Sequence, residues 1–338
     1  MSLTAQDIRF SVAPMMDWTD RHDRYFLRLM SRRARLYTEM VTADAILHGD
    51  RKKLLDYNPE EHKLALQLGG SDPAKLAEAA KIGADWGYDE INLNVGCPSD
   101  RVQSGSFGAC LMQEPDLVAD CMAAMRAAVS VPVTVKSRIG VDAQEPEEAL
   151  FTLVEKCKSV GVTHFIVHAR KAWLEGLSPK ENRDIPPLDY PLVCALKKAH
   201  PDLLISINGG IENITDSEAH LTRVDGVMLG RAPYKNPYLL AEVDGALFGD
   251  TTPPPSREEI VAQLIPYAER LVANGTPLHA LTRHVMGLFQ SQPGGRLWRR
   301  HLSENAPKRG DDATVLREAL DLVLAEQAKK DAMQERVS

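Results

Sequence analysis

The stretch from Glu90 to Cys110, EINLNVGCPSDRVQSGSFGAC, carries residues suited to chemistry. Ile91, Leu93 and Val95 alternate with Asn92 and Asn94, the period-2 pattern of a pleated strand. Gly96-Cys97-Pro98 then ends the strand, because glycine admits unusual backbone and proline blocks further pairing. Two asparagines and a cysteine pack poorly together, but they suit a strand that finishes at a reaction site. On this stretch alone Cys97 reads equally as a small buried hydrophobe and as a reactive thiol. A loop rich in Gly and Ser follows, and Cys110 is the rival thiol; its neighbours Ala109, Leu111 and Met112 favour a packing role.

Such groups need elements to position them. Short apolar runs recur near 10–13, 36–40, 64–68, 91–95, 133–136, 165–168, 204–207 and 227–229. Helical periodicity fills segments between them, as at 73–86, 115–129, 147–160 and 190–199, several with an early proline whose missing N–H costs little there. Eight strand–helix units predict an α/β fold, a closed (β/α)8 TIM barrel over residues 1–248. An open doubly wound sheet is the alternative, but no Gly-x-Gly-x-x-Gly follows the first strand. Three successive prolines, Pro253 to Pro255, predict an extended linker at 249–256. Helical patterns at 257–274, 278–290, 295–305 and 314–333 predict a small all-helical domain over 257–338. Leu316, Leu320, Val323, Leu324 and Ala328 form the expected core-facing stripe of its last helix.

In a parallel barrel, reactive groups gather where the strands end. The eight ends offer Pro14-Met15-Met16, Glu39, Gln67, Asn94 with Cys97, Lys136, His168, Asn208-Gly209-Gly210 and Gly230-Arg231. Any one of these could be an ordinary loop start; together they point to a site. Gly209 and Gly210 let backbone approach a ligand, and Gly230-Arg231 adds amide donors and a guanidinium suited to phosphate oxygens. Loops after the seventh and eighth strands are the usual phosphate site of such barrels. Lys136 and His168 point inward from neighbouring strands. A lysine beside a flavin N1–C2=O edge would stabilise the charge of the reduced ring, and the Gln67 amide could bond a polar ring edge. No HxH or HExxH array is present, so no metal site is expected.

The 338 residues, 44% hydrophobic, suffice for one large core and a smaller one. No apolar run approaches the roughly 18 residues a membrane span needs, and no secretory signal is read at the N-terminus. Five cysteines without a CxxC pair fit a reducing cytoplasm rather than a disulfide scaffold. The net charge of −7 argues against a generally basic nucleic-acid binder, yet residues 283–309 carry Arg283, Arg296, Arg299, Arg300, Lys308 and Arg309 against the single acid Glu304, interleaved with Trp298 and His301.

These residues fall within motifs that resemble the tRNA-dihydrouridine synthase family, most of all its A subfamily. The motifs are APMMDWTD (13–20), YTEM (37–40), LALQLGG (64–70), INLNVGCPSDRVQSGSFGACLM (91–112), VTVKSRIG (133–140), HARKAWLEGLSPKENRDIPPLDY (168–190), INGGI (207–211) and MLGRAPY (228–234). The resemblance covers essentially the whole chain. It implies a barrel holding FMN, NADPH as reductant, and reduction of uridine C5=C6 bonds in the tRNA D-loop near position 20/20a. By the resemblance, Pro14, Met15, Met16, Gln67, Lys136, His168, Asn208, Gly209, Gly210, Gly230 and Arg231 would contact FMN. Hydride would pass from reduced FMN to C6, Cys97 would give a proton to C5, and Asn94 would meet the nucleotide. Lys180, Arg183, Arg296, Arg299 and Arg300 are the expected tRNA contacts. A cytoplasmic monomer, with tRNA as partner and neither membrane nor metal, is the expected form. An FMN barrel acting on a free pyrimidine is the second reading, but it leaves the basic helical domain unexplained. A scaffold that binds RNA without catalysis is the third, and it leaves Cys97, Lys136 and His168 unexplained.

Overall fold

The computed structural model describes residues 3–99 and 107–335. The Gly/Ser-rich segment read after Cys97, residues 100–106, lies outside them. Two compact units emerge, the first formed by Met1–Thr19 with Arg33–Gly230.

Nine parallel strands among the described residues build this first unit. They are β1 (Phe10–Val12), β2 (Leu36–Tyr37), β3 (Val41–Thr42), β4 (Leu64–Gly69), β5 (Glu90–Val95), β6 (Val133–Ser137), β7 (His164–His168), β8 (Leu204–Asn208) and β9 (Gly226–Leu229). Their order is β1-β9-β8-β7-β6-β5-β4-β2, with β3 also on β4, so β2 and β3 are two pieces of one stave. A parallel bridge between Ser11 and Arg35 joins the first stave to the second, with Val12 N–H on the Arg35 carbonyl and Arg35 N–H on the Phe10 carbonyl, both at 3.0 Å. The sheet thus closes into the expected (β/α)8 barrel, with a strand at each of the eight apolar runs. Helices Pro73–Trp86, Pro115–Ala128, Pro146–Ser159 and Tyr190–Ala199 fall within a residue of their expected ends.

Side chains alternate across each strand, and here both faces are buried. Ile91, Leu93 and Val95 are fully buried. Gly83, in the helix Pro73–Trp86, lies so close that a Cβ there would sit 2.6 Å from Leu66 Cδ2 and 3.0 Å from Ile91 Cδ1. This parity therefore faces the helices. The other parity, Glu90, Asn92 and Asn94, bonds to side chains of the neighbouring staves. Arg35 Nη1 meets Glu90 Oε2 at 3.0 Å, the two side chains 3% and 0% exposed. Tyr37 and Thr134 hydroxyls donate to the other Glu90 oxygen at 2.9 and 2.5 Å. Burial, and then the Glu90 charge, push the Tyr37 hydroxyl well above its ordinary pKa, so it stays a donor.

The second compact unit is Asp20–Arg32 with Arg231–Ser338. The sequence reading draws a boundary at 249–256; the compact units divide the chain differently, because residues 20–32 are tied into the helical part. Asp20 caps helix Arg21–Arg28, accepting from the N–H groups of His22 and Asp23. Tyr25 stacks on Tyr267 with centroids 3.9 Å apart, and His22 Nδ1 lies 2.8 Å from the Tyr267 hydroxyl. Ser31 Oγ and Arg32 N–H donate to the Asp244 carboxylate at 2.5 and 2.8 Å.

Helices Arg257–Ala273, Gly295–Asn305 and Thr314–Glu335 agree with the sequence pattern. The expected helix at 278–290 is instead broken into His279–Thr282 and a 3-10 turn, Val285–Gly287. The Val285 carbonyl is taken by the Trp298 indole N–H at 3.0 Å. Gly287 is pressed so close that a Cβ would meet the Lys235 carbonyl at 2.4 Å. On the last helix, Val315, Leu316, Ala319 and Val323 are buried, whereas Leu324 and Ala328 of the expected stripe are exposed. The row at i, i+4, i+8 from Val315, rather than from Leu316, centres the buried face.

Breaking a buried ion pair from one side leaves an uncompensated charge, a loss of about 3–5 kcal/mol. Arg35→Met should therefore lower unfolding free energy by about that amount in urea titration. Tyr37→Phe should cost less, about 1.5–3 kcal/mol, the value of one hydrogen bond to a charged group. An Arg35→Met protein as stable as wild type would show that Glu90 does not depend on this partner.

Candidate active site

The inward row of β5 continues from the Glu90 carboxylate to Cys97 through one line of hydrogen bonds. Asn92 Nδ2 donates to Thr134 Oγ1, Gln67 Nε2 donates to Asn92 Oδ1, and Asn94 Nδ2 donates to Gln67 Oε1, each at 2.8 Å. Asn94 Oδ1 in turn accepts from the N–H groups of Gly96 and Cys97, both at 3.0 Å. The Cys97 turn is thus held by the side chain three residues before it. Asn94 retains a second Nδ2 proton with no partner among the described residues.

Cys97 is partly exposed, and its thiol lies 3.5 Å from Ser99 Oγ. Cys110 is also partly exposed, but its thiol donates to the Phe107 carbonyl at 3.0 Å, and burial raises its pKa. Cys121 and Cys157 are buried, their thiols pushed up to about 12 by burial.

Lys136 stands beside Asn94 in register, one strand over. Its Nζ donates to Asn208 Oδ1 at 3.0 Å, and Asn208 is itself fixed by donating Nδ2 to the Met228 carbonyl at 2.7 Å. Burial, then the nearby Arg138 guanidinium, push the Lys136 pKa down to about 7. His168 sits opposite Asn208 on β7. Burial, then the charges of Arg138 and Lys136, hold its pKa well below the ordinary value, so the imidazole is neutral. Gly209 has φ +108°, and a Cβ there would lie 2.4 Å from the His168 ring; glycine is what permits this approach.

The remaining expected contacts fall as follows. Gln67 and Asn208 are buried, Pro14 and Met15 half-buried, and Met16 exposed. Met15 N–H is held by Thr19 Oγ1 at 3.0 Å. In front of Gly230 a Cβ would meet only Met15 Sδ at 3.6 Å and Ala13 Cβ at 3.7 Å, so its backbone is open to close approach. Arg231 follows directly in the chain and opens the short helix Arg231–Lys235, which belongs to the second unit. Lys180 and Arg183 are exposed on the segment after β7.

Arg138 stands at the end of the same strand as Lys136, and the sequence gives it no role. It is 3% exposed, and its described partners are three backbone carbonyls: Nε donates to Gly96 at 3.0 Å, and Nη1 donates to Lys171 at 3.1 Å and Asn182 at 2.9 Å. Burial pushes its pKa down to about 10. Arg35, Glu90 and Thr134 were likewise missed; the signal available was a polar residue at every second position of a buried strand.

In the second unit, Arg296, Arg299 and Arg300 are exposed and pair with no described residue. Arg283 and Arg309 of the same basic run are spent on Asp20 and on Asp312 with Glu318. Trp298, read as interleaved with the basic face, is fully buried, because it fills the inward side of its helix. Among the described residues, no group of three or more His, Cys, Asp and Glu side chains could hold a metal ion, and no helix is long and apolar enough to cross a membrane.

A parallel barrel with a thiol, a partner-poor lysine and paired glycines at its strand ends has the layout of a barrel enzyme. Comparison with known proteins sharpens this. The family model described as dihydrouridine synthase matches residues 11–324. A tRNA-dihydrouridine(20/20a) synthase of Vibrio cholerae is 58% identical over 313 residues, 92% of this chain and 95% of its own. The protein of the same name from Escherichia coli K12 is 59% identical over 316 residues, 93% of this chain and 91% of its own. This chain belongs to the dihydrouridine synthase family.

Native alkylation should label Cys97 before Cys110, and Cys121 and Cys157 only after unfolding, as read by peptide mass mapping. Earlier modification of Cys110 would reverse the assignment of the accessible thiol.

Proposed function

We propose that this protein reduces the C5=C6 bond of uridine near position 20/20a of the tRNA D-loop, giving 5,6-dihydrouridine. The observation that carries this is the fixed Cys97 turn beside Lys136, Asn208 and His168 on one barrel end. Relatives 58–59% identical and named tRNA-dihydrouridine(20/20a) synthases support the substrate.

The residues present fit FMN. The one described partner of Lys136 is an amide oxygen, and an anionic ring edge beside it would favour its charged form. The backbone at Gly230 is open to a phosphate, and Gly209 and Gly210 both take positive φ, turning the chain sharply at the next strand end. Pro14, Met15, Met16, Gln67, Lys136, His168, Asn208, Gly209, Gly210, Gly230 and Arg231 would hold the cofactor. When bound and reduced by NADPH, FMN supplies the hydride that uracil accepts at C6.

The chain's own groups then act on the substrate. Hydride addition at C6 leaves enolate charge over C5 and O4, and the Cys97 thiol gives its proton to C5. The remaining Nδ2 proton of Asn94 is available to a carbonyl of the base. Neutral His168 donates a hydrogen bond without adding a second charge beside Lys136. Drawing the base from the tRNA stack costs a few kcal/mol. Phosphate contacts from Lys180 and Arg183, and from Arg296, Arg299 and Arg300 of the helical region at 257–338, offset that cost. A tRNA substrate implies a cytoplasmic enzyme.

With NADPH and unmodified tRNA, the purified protein should form dihydrouridine at 20/20a, mapped by mass spectrometry. Cys97→Ala should keep its yellow flavin and lose at least about 100-fold in turnover, the range of a positioned acid. Turnover within a few-fold of wild type would remove Cys97 from the reaction. Replacing Arg296 and Arg299 with Ala should weaken tRNA binding and flatten its salt dependence by roughly 0.9 per lost phosphate contact, with the flavin spectrum unchanged. Unaltered affinity would sink the phosphate role.

A further inference from the structure

Among the described residues, Trp173 is the one aromatic side chain in the exposed class, 44% accessible. A singly exposed tryptophan is ordinary by itself, but one on a rigid base beside the active strand ends offers a flat face on which a base can stack. We propose that Trp173 is a stacking platform for an unpaired tRNA base next to the uridine being reduced. This rests on the tRNA-dihydrouridine reading above.

Three observations converge on it. The first is rigidity. The Trp173 N–H donates to Asn182 Oδ1, and Asn182 Nδ2 donates to the Trp173 carbonyl, both at 2.8 Å, from a fully buried asparagine. On one side Ala172 pairs with Val141, its N–H on the Gly140 carbonyl at 3.0 Å; on the other Leu174 N–H meets Asp142 Oδ1 at 2.8 Å. A ring so mounted loses little freedom when a base stacks on it.

The second is register with the chemistry. The Arg138 guanidinium that braces the Gly96 carbonyl, next to Cys97, also braces the carbonyls of Lys171 and Asn182. One planar group therefore fixes the cysteine turn and both supports of Trp173. A base on the ring is held at a set offset from the base meeting the thiol.

The third is charge. Lys171 Nζ lies 5.4 Å from the Trp173 ring centroid and is pinned there by the Gln144 carbonyl at 2.7 Å. The segment from Arg170 to Asp184 carries Arg170, Lys171, Lys180 and Arg183 against Glu175, Glu181 and Asp184. The Glu181 carboxylate is turned back onto its own segment, accepting from Ser178 N–H. An apolar ring beside cations matches the π-face and phosphate of one nucleotide.

The test uses the full-length flavin-loaded protein and transcribed tRNA. Trp173→Ala should weaken tRNA binding about tenfold, Trp173→Phe less than threefold, and flavin reduction by NADPH without tRNA should not change in either. A tRNA made abasic beside the target uridine should bind wild type about tenfold more weakly, yet bind Trp173→Ala no more weakly than intact tRNA does. Equal affinities of wild type and Trp173→Ala would overturn the proposal. So would an abasic penalty of the same size in both, or a Trp173→Phe defect as large as that of Ala. A wild-type protein that forms no dihydrouridine would remove the reading beneath it, and that result precedes any comparison of variants.

Discussion

The Glu90 carboxylate sets the orientation of everything between it and Cys97. Thr134 donates its hydroxyl proton to this carboxylate, the partner of Arg35. Thr134 then meets Asn92 with a lone pair, so the Asn92 amide turns its nitrogen to Thr134 and its oxygen to Gln67, and the Gln67 amide turns its oxygen to Asn94. Asn94 is left presenting an oxygen, which the N–H groups of Gly96 and Cys97 take. Every proton in the line is donated toward one acid, and that acid is paired with the Arg35 guanidinium where both side chains are buried. A barrel interior this polar is stable only because each member is satisfied.

The same end of the barrel gathers the basic groups Lys136, Arg138 and His168. Lys136 and Arg138 have neutral oxygen partners in the described structure, and both are shifted toward their neutral forms, chiefly by burial. His168 yields first and stays neutral. The result is a cluster of basic groups that favours anionic matter, within a protein whose net charge is −7.

Much of this was legible in the residue order. Eight apolar runs, prolines at helix starts and polar residues at strand ends sufficed for the barrel and for the row Gln67, Asn94, Lys136, His168, Asn208. The supporting partners were not, because alternation is uninformative when both faces of a strand are buried: Glu90 and Thr134 look like surface positions until a second stave is placed beside them. Arg138 was opaque for another reason. Its partners are main-chain oxygens from three separated segments, and a carbonyl has no letter in the sequence. Trp298 misled because a basic run describes only the outer side of its helix.

The placement of residues 20–32 with the C-terminal helices has a bearing on how the chain is made. The second unit draws one part from before residue 33 and the rest from after residue 230. During synthesis the helix Arg21–Arg28 leaves the ribosome some two hundred residues ahead of Tyr267, the side chain that Tyr25 stacks on. Tyr25, buried in the finished protein, has no stacking partner while the whole barrel is translated. The helical unit can be completed only after residues beyond 230 have been made. Chaperone demand should therefore centre on that early helix rather than on the larger sheet.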